Sequence, residues 1–254
     1  MTHRSEMACS AVFFLSLTAC VCAGAQTAPP SSDDIIARMA RAQIENASRM
    51  FPYVVTRDYK LFEGDTPEQL KSHMIARITV APPDSKKYTI ENATGSELAE
   101  RIVRKTLDGE MAFTKDSSSA GITRENYDFL FVGGDDLSGK PCYVLRLFPK
   151  RKSKSLLRGT IWVDAKTYLI DRIDGEPAKT PSWWVSNLRV HFLYGFVGPM
   201  WVQTASEATA NVRIIGRSSL VWQDVSFQTG DGMPGASLAR AIVPMQEPIA
   251  EGPR

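Results

Sequence analysis

The segment 159–175 has the pattern of a β-hairpin, and it constrains the chain more than any other feature of the sequence. Strand-forming residues occupy 161–163 and resume at Tyr168, with the polar run Asp-Ala-Lys-Thr at 164–167 between them. An Asp at the first position of a turn accepts hydrogen bonds from the backbone two residues on, and glycines mark both ends of the segment. Further strand-like segments lie on either side, through links too short for a parallel crossover. The sequence therefore predicts a mainly antiparallel sheet of about nine to eleven strands.

Two segments have the periodicity of amphipathic helices instead. The first, residues 33–50, follows the capping residues Ser31 and Ser32 and is ended by Pro52, which cannot continue a helix. The second is predicted to begin with a capping box formed by Thr94 and Glu97 and to run to about residue 107. Its inward side chains are predicted to be Leu98, Ile102, Val103 and Leu107.

The two ends of the chain are predicted to lie outside the folded domain. Residues 1–25 have a weakly basic start, a short apolar run and small residues at 23–25, a pattern typical of an export signal peptide. Residues 26–32 are predicted to be a linker, and residues 229–254, rich in Gly and Pro, a disordered tail. A single domain of residues 33–228 remains, and a hydrophobic share of 43% is sufficient for its core.

Processing of the export signal has two alternatives. Cleavage after Ala25 would release a periplasmic protein that begins at Gln26. The run Leu-Thr-Ala-Cys at 17–20 resembles the bacterial lipobox, and lipidation of Cys20 would anchor the protein to the outer membrane. After cleavage at residue 25 only Cys142 would remain, so no disulfide framework and no thiolate metal site are predicted.

The sequence has no catalytic or metal-binding signature. His73 and His191 are isolated from each other, whereas a zinc site needs three or four suitably spaced ligands. The run Gly-Gly-Asp-Asp at 133–136 lacks the features of a P-loop or an EF-hand and is interpreted as a hairpin turn. A net charge of +2 is too small to indicate nucleic-acid binding. We therefore predict a protein that is not an enzyme and that binds no metal, cofactor or nucleic acid.

Aromatic residues in the predicted sheet are the candidate ligand-binding side chains. They either fill one core or line an apolar cavity and its mouth, as aromatics do in many ligand sites. The candidates are Trp162, Trp183, Trp184, Phe192, Trp201 and Trp222. The pair Trp183 and Trp184 follows a Pro-containing loop and is expected to be the most exposed.

A basic cluster lies in the loop before the hairpin. It consists of Lys150, Arg151, Lys152 and Lys154. A solvated hairpin tip that keeps the sheet soluble accounts for such a cluster. Attraction to an anionic membrane surface or to an acidic partner is the alternative.

Two segments of the chain resemble a known family. The run Gly-Thr-Ile-Trp-Val-Asp-Ala-Lys-Thr-Tyr-Leu-Ile-Asp-Arg-Ile at 159–173, followed by Gly-Pro-Met-Trp-Val at 198–202, resembles the LolA/LolB-like superfamily of outer-membrane lipoprotein-sorting proteins. The resemblance implies an α+β fold, a strongly curved, unclosed antiparallel β-barrel with an N-terminal helix and one inserted helix covering the open side. It also implies an apolar interior that accepts acyl chains. Carriers of this family hold a lid with an Arg on an inner strand; Arg57 lies in the first strand here, without a local motif that assigns it this role.

Two hypotheses about function follow from the sequence. The first is a monomeric periplasmic protein that binds lipid or lipoprotein acyl chains in an apolar cavity, without catalysis. The second is an envelope scaffold or stress sensor, anchored through Cys20, with a solid core and a partner-binding surface.

Overall fold

A computed structural model describes residues 30–64, 69–115, 120–180, 182–213 and 215–229, without the side chains of 112–115. The predicted signal peptide with Cys20, the linker up to residue 29 and the tail from residue 230 lie outside the described residues. The helices and strands in chain order are α1 (Ser32–Ser48), β1 (Tyr53–Glu63), β2 (Leu70–Ala81), β3 (Ser85–Gly95), α2 (Glu97–Lys115), β4 (Tyr127–Asp136), β5 (Pro141–Pro149), β6 (Leu157–Asp164), β7 (Ile170–Pro177), β8 (Val185–Val197), β9 (Met200–Val212) and β10 (Gly216–Thr229).

The strands form one antiparallel sheet in the order β3-β2-β1-β10-β9-β8-β7-β6-β5-β4. Strands β3 and β4 are its two edges and do not pair with each other, so the sheet is not closed. Helix α2 follows β3 and precedes β4 in the chain. The predicted α+β architecture, an open antiparallel half-barrel with an N-terminal helix and an inserted helix, is therefore confirmed.

Both helices cover the same face of the sheet, which we call the inner face. Directly paired residues on neighbouring strands share a face, so the strand registers show which side chains lie together. One row of the inner face is Leu220, Ala208 and Val190, and a second row is Phe192, Ile173, Ile161 and Leu145. The first row adjoins the core that contains Val103 and Leu107 of α2, and the second belongs to the core that contains Ile35 and Met39 of α1.

The start of α2 differs from the sequence-based prediction. Ser96, rather than Thr94, caps the helix, since its hydroxyl accepts a 3.3 Å hydrogen bond from the backbone N–H of Ala99. Thr94 belongs to β3. The predicted inward position of Leu98 is wrong as well: its side chain is 38% exposed, whereas Ala99 is buried. The capping residue lies two positions later than predicted, and Ala99 takes the inward position that was assigned to Leu98.

The run 133–136 is not the hairpin turn that the sequence suggested. Strand β4 continues to Asp136, and the turn falls at Leu137 and Lys140, whose backbone groups exchange two hydrogen bonds of 2.9 and 3.3 Å. The register shifts between Phe131 and Gly133, which marks a β-bulge. Gly133 has a φ of 152°, a conformation that glycine adopts at little cost. These glycines therefore belong to a β-bulge within strand β4 and not to a turn.

The hairpin at 159–175 forms as predicted. One carboxylate oxygen of Asp164 accepts hydrogen bonds from the backbone N–H groups of Lys166 and Thr167, at 2.8 and 2.6 Å. Tyr168 has a φ of 58° and extends the turn, so β7 begins only at Ile170.

Candidate ligand-binding cavity

An apolar cavity of about 280 Å³ opens on the inner face where α2 lies beside strands β8 to β10. Helix α1 packs over β4 to β7, and α2 packs over β1 to β3 and β10. The strands between these two regions carry less helical cover. The lining residues are Leu61, Ile102, Lys105, Thr106, Ser182, Trp184, Val185, Leu188, Ala208, Ala210, Val212, Ser218 and Leu220.

Small side chains on the sheet create the space. Ala208 and Ala210 of β9 pair directly with Leu220 and Ser218 of β10. Alanine and serine leave a shallow floor where larger residues would meet α2. The walls are the aliphatic side chains Leu61, Ile102, Val185 and Leu188. Such a site favours a slender apolar ligand, because burial of apolar surface is favourable and non-directional.

One charged residue is found among the described residues of this lining, namely Lys105 of α2. Its ammonium nitrogen lies 4.4 Å from the centroid of the Trp184 ring, within the range of a cation–π contact. None of these described lining residues has a carboxylate. The cavity is therefore apolar in its interior and positively charged at one point of its rim.

A buried polar cluster holds α2 to the sheet beyond the cavity. Arg57 of β1 donates hydrogen bonds to Asp224 at 2.6 Å and to Glu110 of α2 at 2.9 Å. Lys86 of β3 donates to the same oxygen of Glu110 at 2.9 Å. The Arg57 guanidinium also lies 3.4 Å from the ring centroid of Trp222. Burial raises the pKa of the Asp224 carboxyl, and Arg57 opposes this rise.

The two adjacent tryptophans predicted at the mouth have different surroundings. Trp184 lines the cavity. Trp183 is 81% exposed, and the guanidinium of Arg213 lies 5.4 Å from its ring centroid. The backbone N–H of Arg213 donates to the carbonyl of Trp184 at 2.9 Å, which fixes this loop against the end of β9.

The other aromatic candidates do not line the cavity. Trp222 lies on the inner face beneath Arg57, and Phe192 packs against the core that contains α1. Trp201 is buried, and its indole N–H donates to the carbonyl of Ile170 at 2.8 Å. Trp162 lies on the opposite, outer face, where it donates to Asp135 at 2.9 Å. Any contact of these four with a ligand remains a prediction from the sequence.

Two of the four basic side chains in this loop form hydrogen bonds with neighbouring residues. Lys150 donates to the carbonyl of Arg124 at 2.7 Å, and Arg151 donates to the side chain of Asn126 at 2.5 Å. Lys152 and Lys154 are exposed. A role of this loop at an anionic surface remains a prediction.

The side chains that form the cavity were largely missed by sequence reasoning. Ala208, Ala210 and Lys105 were not singled out, although the two alanines stand at alternating positions of a predicted strand. Small inward residues in a strand can indicate a cavity. They also occur where a helix packs closely against the sheet. Only the position of α2 distinguishes the two cases.

Within the described ranges, no group of three or more His, Cys, Asp or Glu residues is arranged to hold a metal ion. His191 contacts Asp174, and His73 lies 2.9 Å from Asp58. Neither of the described helices combines the length and apolar character that crossing a membrane requires.

Comparison with known proteins gives structural likeness only. No family model and no curated protein matches the chain. A solved domain from Vibrio parahaemolyticus, described as an outer membrane lipoprotein-sorting protein, is 12% identical with a TM-score of 0.43, over 76% of this chain and 92% of that one. A DUF1329 family protein from Desulfovibrio piger is 13% identical with a TM-score of 0.42, over 79% and 94% of the two chains.

A LolA superfamily protein from Nitrosomonas europaea is 8% identical with a TM-score of 0.37, over 81% of this chain and 96% of that one. These neighbours agree with the LolA/LolB-like resemblance noted in the sequence. At such identities and TM-scores, the likeness says nothing about what this chain binds. Its function has to be inferred from the cavity.

Proposed function

We propose that this protein is a non-catalytic binding protein of the cell envelope that holds an acyl chain of a lipid or lipoprotein in the inner-face cavity. The observation that carries the proposal is the apolar cavity of about 280 Å³ between α2 and strands β8 to β10. Each buried methylene contributes about 0.8 kcal/mol, so a chain of several methylenes would bind without any specific polar contact.

The size of the cavity limits what enters it. A volume of about 280 Å³ is close to the lower end of the roughly 300–1,000 Å³ typical of ligand pockets. One chain fits in such a space, and the remainder of a longer ligand would leave through the mouth beside Trp184.

Export to the periplasm is part of the proposal and is supported by the signal-like segment 1–25. Intact-mass analysis of protein from the native envelope is expected to show a chain that begins at Gln26. A diacylated chain that begins at Cys20 and disappears in Cys20→Ala would instead establish the anchored form.

Binding is tested with delipidated protein and a fluorescent fatty acid. We expect saturable binding at micromolar concentration or below, which corresponds to about 8 kcal/mol. Ala210→Phe fills the floor of the cavity and should abolish binding. Thr209→Phe adds the same ring to the neighbouring position of β9, whose side chain lies on the outer face, and should leave binding unchanged.

Two outcomes contradict the proposal. If folded, delipidated protein binds no acyl probe, the cavity does not serve acyl chains. If Ala210→Phe binds as well as the unmodified protein, the acyl chain lies elsewhere.

A specific surface favours a second function, which is binding of a protein partner. Leu130 and Val132 of the edge strand β4 and Phe148 of β5 are large apolar side chains exposed to solvent. Exposed apolar groups at a sheet edge are typical of partner-binding surfaces. A partner that is lost in Leu130→Lys while acyl binding persists would support this second function.

A further inference from the structure

We propose that the occupant of the cavity is a single-chain amphiphile whose anionic head, a carboxylate or a phosphate, lies against Lys105. The inference rests on the proposed acyl-binding function and adds the chemistry of the head. It therefore excludes a neutral amphiphile as the preferred ligand.

The charge of the cavity is the first argument. Among the described residues of the lining, Lys105 is the single charged one, and none of them carries a carboxylate. Among the described residues, no carboxylate lies within ion-pair distance of its ammonium group. The neighbouring cations of α2 differ, because Arg101 and Arg104 contact Glu97 and Glu100, one turn away, at 3.1 and 2.5 Å.

The position of the ammonium group is the second argument. It lies over the Trp184 ring, and Trp184 itself lines the cavity, so the cation is held at the rim. A cation–π contact leaves the N–H groups on the solvent side able to donate. Hydrogen bonds to ionised groups are stronger than those between neutral groups. A carboxylate or phosphate at the end of a buried chain would meet these donors.

A second cation adjoins the residues that line the cavity. Arg213 follows the lining residue Val212, and its backbone N–H donates to the carbonyl of Trp184 at 2.9 Å. Its guanidinium lies 5.4 Å from the ring centroid of Trp183. The chain as a whole carries a net charge of only +2, so a cation in the lining and a second at the residue next to it are a local feature. Their field would attract an anionic head and repel a cationic one.

The volume of the cavity fixes the number of chains. About 280 Å³ is near the lower bound of ligand pockets, and its walls are one helix and one layer of strands. A single chain fills this space, whereas two chains side by side would require α2 to move away from β9.

The test compares the affinities of ligands that have the same acyl chain length and different head groups. Full-length delipidated protein is titrated with tetradecanoic acid, with a monoacyl glycerol phosphate of the same chain, and with the neutral monoacyl glycerol. Both anionic ligands should bind about tenfold more tightly than the neutral one, as expected for one charge-assisted hydrogen bond at the mouth. Inorganic phosphate alone should not displace them, since the chain supplies most of the binding.

The matched variants are Lys105→Gln and Arg104→Gln, which remove one positive charge each from adjacent positions of α2. Lys105→Gln should weaken the anionic ligands about tenfold and leave the neutral one unchanged. Arg104→Gln should change none of them. Both positions are exposed, so both variants should keep the melting temperature of the unmodified protein.

The results separate the two proposals. Equal affinity for anionic and neutral ligands, or equal effects of the two variants, would overturn the anionic-head inference and leave acyl binding standing. Displacement by inorganic phosphate would show that the head rather than the chain supplies most of the binding, and would contradict the acyl site. Failure of every amphiphile to bind would overturn acyl binding itself. A preference for one anionic head over the other identifies the carboxylate or the phosphate as the natural head.

Discussion

Arg57 on β1 and Glu110 on α2 are joined by a 2.9 Å hydrogen bond that ties the inner face of the sheet to the helix bordering the cavity. The same guanidinium donates to Asp224 on β10, so one buried cation connects two strands and a helix. Since α2 forms one wall of the cavity, the position of that wall depends on this cluster.

Removal of the Asp224 side chain should destabilise the fold strongly. The side chains of Arg57 and Asp224 are only 5% and 2% exposed, so Asp224→Ala leaves a buried cation with one hydrogen-bond acceptor fewer. We expect the free energy of unfolding to fall by about 3–5 kcal/mol, as found when buried ion pairs lose one partner. Urea denaturation monitored by tryptophan fluorescence measures this loss.

The control is Glu97→Gln, which breaks the exposed pair between Glu97 and Arg101 on α2. Exposed pairs of this type contribute about 0.5 kcal/mol or less, so its midpoint should barely move. A loss below about 1 kcal/mol in Asp224→Ala would show that the buried cluster is not a determinant of stability.

The side-chain amide of Asn46 binds the C-terminal part of α1 to strand β9. Asn46 donates a 2.8 Å hydrogen bond to the carbonyl of Trp201 and accepts one of 2.7 Å from its backbone N–H. Asn46→Ala leaves both backbone groups without these partners and should cost about 1–3 kcal/mol in unfolding free energy, even though Ala is the better helix former.

The neighbouring exposed position provides the comparison for Asn46. Glu45→Ala removes a side chain that only pairs with Arg49 one turn away, and we expect a change within about 0.5 kcal/mol. Equal stability of the two variants, measured by thermal unfolding, would contradict a fastening role for Asn46.

The sequence predicted the architecture because strand alternation and turn residues are local signals. The alternation at Tyr143, Leu145 and Leu147 and the Asp164 turn both appear in the structure as expected. The glycines at 133–134 misled the prediction, because glycine serves a bulge as readily as a turn. Only the pairing with β5 decides between them.

The cavity was less predictable than the fold for a physical reason. A cavity is a volume that side chains leave unfilled, and the residues that leave it are small ones such as Ala208 and Ala210. Large aromatic residues were the predicted ligand-binding side chains, but Trp162 and Trp201 lie outside the cavity. Their indole N–H groups donate hydrogen bonds to Asp135 and to the carbonyl of Ile170. Arg57 was noted in the first strand, yet its partner Glu110 is distant in sequence and could not be inferred.

Asp171 should make the protein less stable as the pH rises from about 4 to about 6. Burial raises the pKa of its carboxyl to about 6, an effect that Lys140 partly offsets. The unfolded carboxyl titrates near 3.9, so between these values the folded state holds a proton that the unfolded state has lost. Ionisation in the folded state then costs about 3 kcal/mol above pH 6.

Asp171→Asn should remove this dependence and be more stable than the unmodified protein at neutral pH. Unfolding free energies of both proteins at about pH 4 and about pH 7.5 give the test, since the difference between them isolates Asp171. Asp128→Asn, at a side chain that is 74% exposed, is the matched control and should follow the unmodified protein. A constant difference between the two pH values would contradict a raised pKa in the folded state.

Gly159 permits the close approach of β6 and β7 in the central hairpin. A Cβ atom at this position would lie 2.0 Å from the carbonyl oxygen of Asp174 and 2.6 Å from the Cα of Gly175. Both are backbone atoms, so the strands would have to separate. Gly159→Ala should therefore lower the free energy of unfolding by about 3 kcal/mol or more, at the upper end of overpacking effects.

Gly109, in α2, is the matched control because a Cβ there meets no atom within 4 Å. Gly109→Ala should stabilise the protein by about 0.5–1 kcal/mol, since Ala is the better helix former and restricts the unfolded chain. The same glycine-to-alanine change thus has opposite signs at the two positions. If Gly159→Ala matched Gly109→Ala in urea denaturation, β6 and β7 would be farther apart at this point than the structure shows.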